Sequence, residues 1–259
     1  MISKTSASTC YLSPIAYYFM LSKICDSLLT IVYPQSCQIC RNSVESFSNG
    51  AACNTCWEQT RIFSGTETLC GKCGRFLSEK PSDFQTFCHR CDEHFYDQAR
   101  AVGFYEQALA ASVIHLKREP FAAEKLQELL LSRFQTSDFH DSTRIIPVPL
   151  SKRRQLERGF NQAAVLAGFL AGKLHLPLDE QSLARSVHTP LHRAAMDNKA
   201  RETSVKNVFD VKRPNVVDGE IVLLIDDVFT SGATVSACAK VLKEKGARKV
   251  YVLTIAHAG

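Results

Sequence analysis

The sequence lacks any apolar run long enough to cross a membrane. Its amino-terminal stretch Ile15–Met20 (IAYYFM) falls far short of the roughly 20 residues a span requires. A secretory signal is also missing: Lys23 and Asp26 follow Tyr11–Leu21 with no small-residue cleavage site. The eleven cysteines are therefore expected as reduced thiolates in a cytosol rather than as a disulfide framework. The expectation is a cytoplasmic protein with no stable membrane insertion. Charge is not lopsided either. A net charge of +5 is compatible with a phosphorylated ligand or a nucleic acid and singles out neither. With 259 residues and a 45% hydrophobic share, the chain can fold one α/β domain plus a small module.

What is present begins with cysteine spacing. Cys37/Cys40, Cys53/Cys56, Cys70/Cys73 and Cys88/Cys91 form four CxxC knuckles within 55 residues. Each knuckle offers two thiolates from one tight turn, and two knuckles complete a tetrahedral zinc site. Few apolar residues separate them, so metal must supply much of the local folding free energy. Two structural Zn2+ ions are the natural count, pairing first with second and third with fourth knuckle. Spacing alone leaves an interleaved pairing or a single zinc open. With eight cysteines available, His89 and His94 read as surface residues, and Asp92–Gln98 as a polar connection.

Beyond it, Ala101–Tyr105 reads as a strand, Ala108–Leu116 as a helix ending at Lys117, and Ala122–Phe134 as an amphipathic helix. Lys117 is either a partner of that helix's carboxyl end or a phosphate contact.

The organising stretch is Ile221–Ala233, IVLLIDDVFTSGA. A continuous Ile/Val/Leu run reads as a strand buried on both faces, as in a parallel sheet. A helix bearing Val235, Cys238, Val241 and Leu242 on one face follows, then a second buried strand at Lys249–Ile255. Ligands of such βαβ units sit at the carboxyl ends of the strands. Thr230, Ser231, Gly232, Ala233 and Thr234 lie at a helix start, where free N–H groups favour a phosphate. No lysine follows Gly232, which excludes the Walker A loop. Asp226 and Asp227 are acceptors suited to a vicinal diol. Together these parts describe a ribose 5-phosphate pocket.

A second basic stretch follows another expected strand, Ile145–Leu150 (IIPVPL). Lys152, Arg153, Arg154 and Arg158 place four cations within seven positions, and guanidinium groups match phosphate geometry. They read as a pyrophosphate loop or as a solvated face. Asn161 is expected to cap the helix that runs to Leu174.

LLIDDVFTSGAT resembles the phosphoribosyl pyrophosphate (PRPP) signature of type I phosphoribosyltransferases. The order CxxC pairs, Leu116-Lys117, PVPL-x-KRR, RGFNQ, Arg185-x(3)-Thr189 and IDDVFTSGAT resembles the ComF family of competence proteins. That resemblance implies an α/β fold: a phosphoribosyltransferase-type parallel sheet with flanking helices, preceded by a small zinc-ribbon module. It divides the chain into an amino-terminal extension with a packing helix at 1–35, a double zinc ribbon at 36–92 and a phosphoribosyltransferase-like domain at 98–259. It further implies PRPP as ligand with Mg2+, and a role in DNA uptake or DNA utilisation. The segment after Arg185 departs from the family pattern, with His192, Ser204 and Asn207-Val208-Phe209 in place of the usual residues; Arg193 and Arg201 there are candidates for a pyrophosphate lid. Two functions stay open: a phosphoribosyltransferase whose acceptor no residue identifies, or a non-catalytic single-stranded-DNA module of the uptake machinery with a PRPP-sensing or vestigial pocket. In the second, Phe104, Phe121 and Phe160 are candidates for stacking bases.

Overall fold

The computed structural model describes residues 30, 32–80, 84–185 and 208–259. The expected amino-terminal packing helix around Ile24, Leu28 and Leu29 lies outside them, as do Thr189, His192, Arg193, Arg201, Ser204 and Asn207. In chain order come α1 (Asn54–Glu58), β1 (Thr68–Leu69), β2 (Phe76–Ser78), β3 (Gln98–Phe104), α2 (Gln107–Leu116), α3 (Glu124–Gln135) and β4 (Arg144–Pro147). Then follow α4 (Lys152–Arg158), α5 (Gln162–Leu174), β5 (Leu183–Arg185), β6 (Phe209–Val211), α6 (Pro214–Val217), β7 (Ile221–Phe229), α7 (Ala233–Glu244) and β8 (Lys249–His257).

The central sheet has four parallel strands in the order β3-β8-β7-β4. Every residue of Ile221–Ile225 is at most 1% exposed, as a strand covered on both faces requires. Side chains alternate between those faces. Leu223, Ile225, Leu253 and Ile255 join a cluster with α2, α3 and α5, while Val222, Leu224, Val250 and Val252 join another with α7.

The cysteine-rich region is built into these same clusters. Cys37, Val44 and Trp57 belong to the first, and Cys70, Cys73, Cys91 and Tyr96 to the second. The chain between the two ribbons also extends the sheet at its β3 edge: Phe63 N–H donates to Val102 O (2.9 Å) and Phe104 N–H to Arg61 O (3.1 Å). Gly103 permits that approach, since a Cβ there would lie 2.4 Å from Arg61 O. Too few apolar residues separate the knuckles to form a core of their own, so each ribbon buries its share against the sheet.

Several expected boundaries shift. The strand expected at Ala101 already begins at Gln98, and the strand expected through Leu150 ends at Pro147, with a last bond from Val148 N–H to Ile225 O (2.8 Å). The basic stretch expected as a loop is the helix α4. Ser151 caps it by accepting Arg154 N–H (3.3 Å), Arg153 and Glu157 pair one turn apart, and Gly159 at φ +77° ends it. Helix-forming Lys, Arg, Gln, Leu and Glu between two stop signals decide this local structure.

Candidate phosphate site and metal clusters

The eight paired cysteines converge on two points. Cys37, Cys40, Cys53 and Cys56 form one cluster and Cys70, Cys73, Cys88 and Cys91 the other, each with all sulfurs within 4.8 Å of one another. The Cys37–Cys56 and Cys40–Cys53 sulfurs are 3.7 and 3.5 Å apart, and the Cys70–Cys91 and Cys73–Cys88 sulfurs 3.4 and 3.6 Å. A tetrahedron of Zn–S bonds of about 2.3 Å has edges of about 3.8 Å, so four thiolates at these separations fit Zn2+. The pairing is first with second and third with fourth; the interleaved alternative is excluded. Each cluster offers four sulfurs and suits a structural ion. Burial opposes ionisation of Cys37 and Cys70, yet backbone N–H donors from their own and the facing knuckle bring both thiols down to about 6.

Toward the carboxyl end of β7 the acid pair lies inside the strand rather than just beyond it. The strand continues to Phe229, so Asp226 and Asp227 stand within it and face opposite sides of the sheet. Asp227, 8% exposed, faces α2 and α5: Lys117 Nζ lies 3.2 Å from its Oδ2, and Gln162 Nε2 donates to the same atom at 3.4 Å. Asp226 faces α7, where its charge reaches Cys238. Burial and the Asp227 carboxylate push Asp226 up to about 8, against the opposing pull of the Asp227 N–H and Lys117. Lys117, with two readings open from sequence, is an ion-pair partner of Asp227.

The loop after β7 matches its expectation more closely. Gly232 sits at φ +79° as the residue before α7 and has no side chain with which to cap that helix. Ser231 Oγ accepts Ala233 N–H at 3.4 Å, which shapes the turn and leaves the Thr234 and Val235 N–H groups of the first turn without an acceptor among the described residues. Thr230, Ser231, Ala233 and Thr234 are all exposed.

Of the four basic residues in α4, only Arg158 reaches the acids: its Nη1 donates to Gln162 Oε1 (2.8 Å), and Gln162 continues to Asp227. Lys152, Arg153 and Arg154 are exposed, and Arg153 is held by Glu157. Lys152 stands at the rim of a 760 Å³ cavity walled by Pro147, Leu156, Phe160 and Asn161.

Sequence reasoning treated His94 as a surface residue. In the structure its ring lies against Gly232, and Tyr96, 1% exposed, sits beneath it against Phe229. No spacing rule marks such a residue; its closeness to Cys91 was the sole cue. Phe104, a candidate base-stacker, packs between Phe63 and Phe76 with Arg61 on its face.

The Double zinc ribbon domain family matches residues 28–95, and the Phosphoribosyl transferase domain family matches residues 161–259. The DNA utilization protein YhgH of Shigella flexneri is 31% identical over 233 residues, covering 87% of this chain and 97% of that protein. Competence protein F of Haemophilus influenzae is 30% identical over 234 residues, covering 86% and 96%. The chain belongs to the ComF family. A more distant ComF-family relative, competence protein ComFC of Bacillus subtilis, is 28% identical over 216 residues and covers 75% of this chain and 78% of its own length. The sheet and ribbons described above are thus the phosphoribosyltransferase fold and double zinc ribbon of this family. Among the described residues, no helix is long and apolar enough to cross a membrane.

Proposed function

We propose that this ComF-family protein binds PRPP or a related ribose 5-phosphate at the carboxyl end of β7, in the service of DNA uptake or utilisation. The observation that carries the reading is the start of α7: exposed hydroxyls and the unpaired Thr234 and Val235 N–H groups follow a left-handed Gly232, a short way beyond two acids. The loop Thr230–Thr234 takes the 5′-phosphate. The acids divide the remaining work. Asp227, already charge-paired with Lys117, accepts hydrogen bonds on the α5 side, and Asp226 meets the ribose from the α7 side once it is ionised. Arg158 and Lys117 supply cations for the pyrophosphate.

Mg2+ would arrive with the pyrophosphate and keep most of its waters, as a small hard cation does on phosphate oxygens. Bound there, Mg2+ supplies charge neutralisation at the pyrophosphate oxygens. Turnover would then transfer ribose 5-phosphate to an acceptor of undetermined identity, with pyrophosphate leaving.

The exposure of Lys152, Arg153 and Arg154 favours a second reading for α4. These cations lie open to a polyanion such as single-stranded DNA, in keeping with the names of the relatives.

Calorimetric titration of PRPP with Mg2+ into the wild type and into Asp226→Asn and Asp227→Asn tests the pocket. Binding by the wild type and its loss in Asp227→Asn are expected. A zinc-loaded wild type that ignores PRPP but binds single-stranded DNA in a salt-dependent way would leave only the second reading.

A further inference from the structure

The second ribbon touches the phosphate loop at one point, and that point is tied down from several directions. A Cβ on Gly232 would lie 2.8 Å from His94 Cε1 and 2.7 Å from Phe229 Cζ, so the imidazole is in close contact with the turn. His94 N–H donates to Cys91 O at 3.2 Å, and Lys72, inside the Cys70–Cys73 knuckle, donates from Nζ to His94 O at 2.8 Å. The ring Nδ1 shares a hydrogen bond with Tyr96 Oη. Tyr96 meets Phe229 edge-on at 5.9 Å, and Phe229 stacks on His257 at 4.9 Å.

The next residues fasten to the other side. Phe95 N–H donates to Ser236 Oγ in the first turn of α7 at 3.1 Å. Asp97 accepts Val250 N–H at 2.7 Å and pairs with Lys243 Nζ at 2.9 Å. Residues 94–97 are therefore anchored to the metal cluster at one end and to α7 and β8 at the other. The loop they touch has little else to hold it. The Ser231 hydroxyl on the Ala233 N–H is the one side-chain contact at its helix start among the described residues, and Thr230, Ser231, Ala233 and Thr234 are exposed.

We propose that His94 is a positioning residue of the phosphate loop, so that zinc in the Cys70/Cys73/Cys88/Cys91 cluster sets the loop's shape and its affinity for phosphorylated ligands. The affinity half of this rests on the phosphate site described above; the coupling between ribbon and loop does not. Four thiolates at a structural site order the chain around them, and their release frees the Cys88–Cys91 turn that carries His94. Gly232, in a conformation that few side chains tolerate, then loses its wall.

The test is amide hydrogen exchange on the full zinc-loaded protein, on the same protein stripped by a chelator, and on His94→Ala with its zinc content verified. Residues 229–236 are expected to exchange about tenfold faster in both altered samples, while Ile221–Ile225 and Lys249–Ile255 stay protected. Ribose 5-phosphate titrated into His94→Ala should bind about tenfold more weakly, a difference near 1.4 kcal/mol. His94→Phe, which refills the space, should restore most of the loop's protection and affinity. Unchanged exchange in residues 229–236, or acceleration spread evenly over the strands, overturns the coupling. Restored protection without restored affinity in His94→Phe also overturns the positioning role, because His94 would then contact the phosphate itself. A wild type that binds no ribose 5-phosphate removes the reading of the loop as a phosphate site, and the exchange data still decide whether the ribbon governs it.

Discussion

In the first ribbon the chain reverses at Cys37–Asn42, with Arg41 N–H donating to Cys37 O at 3.0 Å and Cys37 N–H to Asn42 O at 2.7 Å. In the second, Gly74 N–H donates to Cys70 O at 2.9 Å and Cys70 N–H to Arg75 O at 2.7 Å. The turn and the ligand set are the same, and the surroundings are not. The first ribbon settles through Val44 and Trp57 onto the face covered by α2, α3 and α5; Trp57 Nε1 donates to Asn49 O, and Gly50 approaches the start of α3. The second settles through Tyr96 onto the α7 face, beneath the phosphate loop. Metal chemistry fixes each ribbon's own shape, while a few apolar residues beside it decide what it serves.

Removing a metal ligand should have the largest effect. Structural zinc contributes on the order of 10 kcal/mol, comparable to the whole stability of a domain. Cys56→Ser and Cys91→Ser should each lose one zinc by elemental analysis and melt at markedly lower temperature. Only Cys91→Ser should lose ligand binding under conditions where both remain folded. Equal loss in the two variants would erase the distinction between the ribbons.

Next comes Trp57→Ala, which removes a 3% exposed indole from the first ribbon's contact. A loss of about 3–5 kcal/mol in denaturant unfolding is expected, with ligand affinity of the folded protein unchanged. Weakened binding would mean that the first ribbon also shapes the site.

The acid pair sharpens the comparison on the second ribbon's face. Asp226 is raised from 3.8 to about 8, so the folded state holds a proton there that the unfolded state gives up. Its contribution to stability is full below about pH 4 and declines as pH rises toward about 8. Asp226→Asn should flatten that decline in unfolding measurements taken from pH 4 to 9. A profile identical to the wild type would show that Asp226 is ionised at neutral pH.

The smallest effect separates the two knuckles. Gly74 sits at φ +69° with Ala99 O only 2.7 Å from where a Cβ would be, so Gly74→Ala should destabilise by about 1–3 kcal/mol. Arg41 adopts φ +68° as a non-glycine residue, and Arg41→Gly should change stability by less than about 1 kcal/mol.

Much of this was legible in the sequence, and for identifiable reasons. Ile221–Ile225 carries no polar residue and Val250–Ile255 only Tyr251 and Thr254, and such runs fit a doubly covered strand. Cysteine spacing announced eight ligands, because each CxxC is a local turn. What could not be read was set by contacts distant in sequence. The opposite facing of Asp226 and Asp227 depends on the strand running to Phe229 rather than stopping at Ile225. The Lys117–Asp227 pair joins residues on different elements. The basic stretch looked like a phosphate loop by composition, yet Ser151, Gly159 and the Arg153–Glu157 pair make it a helix. His94 carries no signal in its own neighbourhood, because its role comes from packing against Gly232.

The central claim is that the turn Thr230–Thr234 is a phosphate site with the second ribbon at its back. Backbone amide NMR of the zinc-loaded protein during titration with ribose 5-phosphate tests it most directly. The predicted result is large, saturable shifts at Ser231–Val235 with a smaller response at His94, and none at Cys37–Cys56. Shifts confined to Lys152–Arg158, with the turn after β7 unmoved, would contradict it.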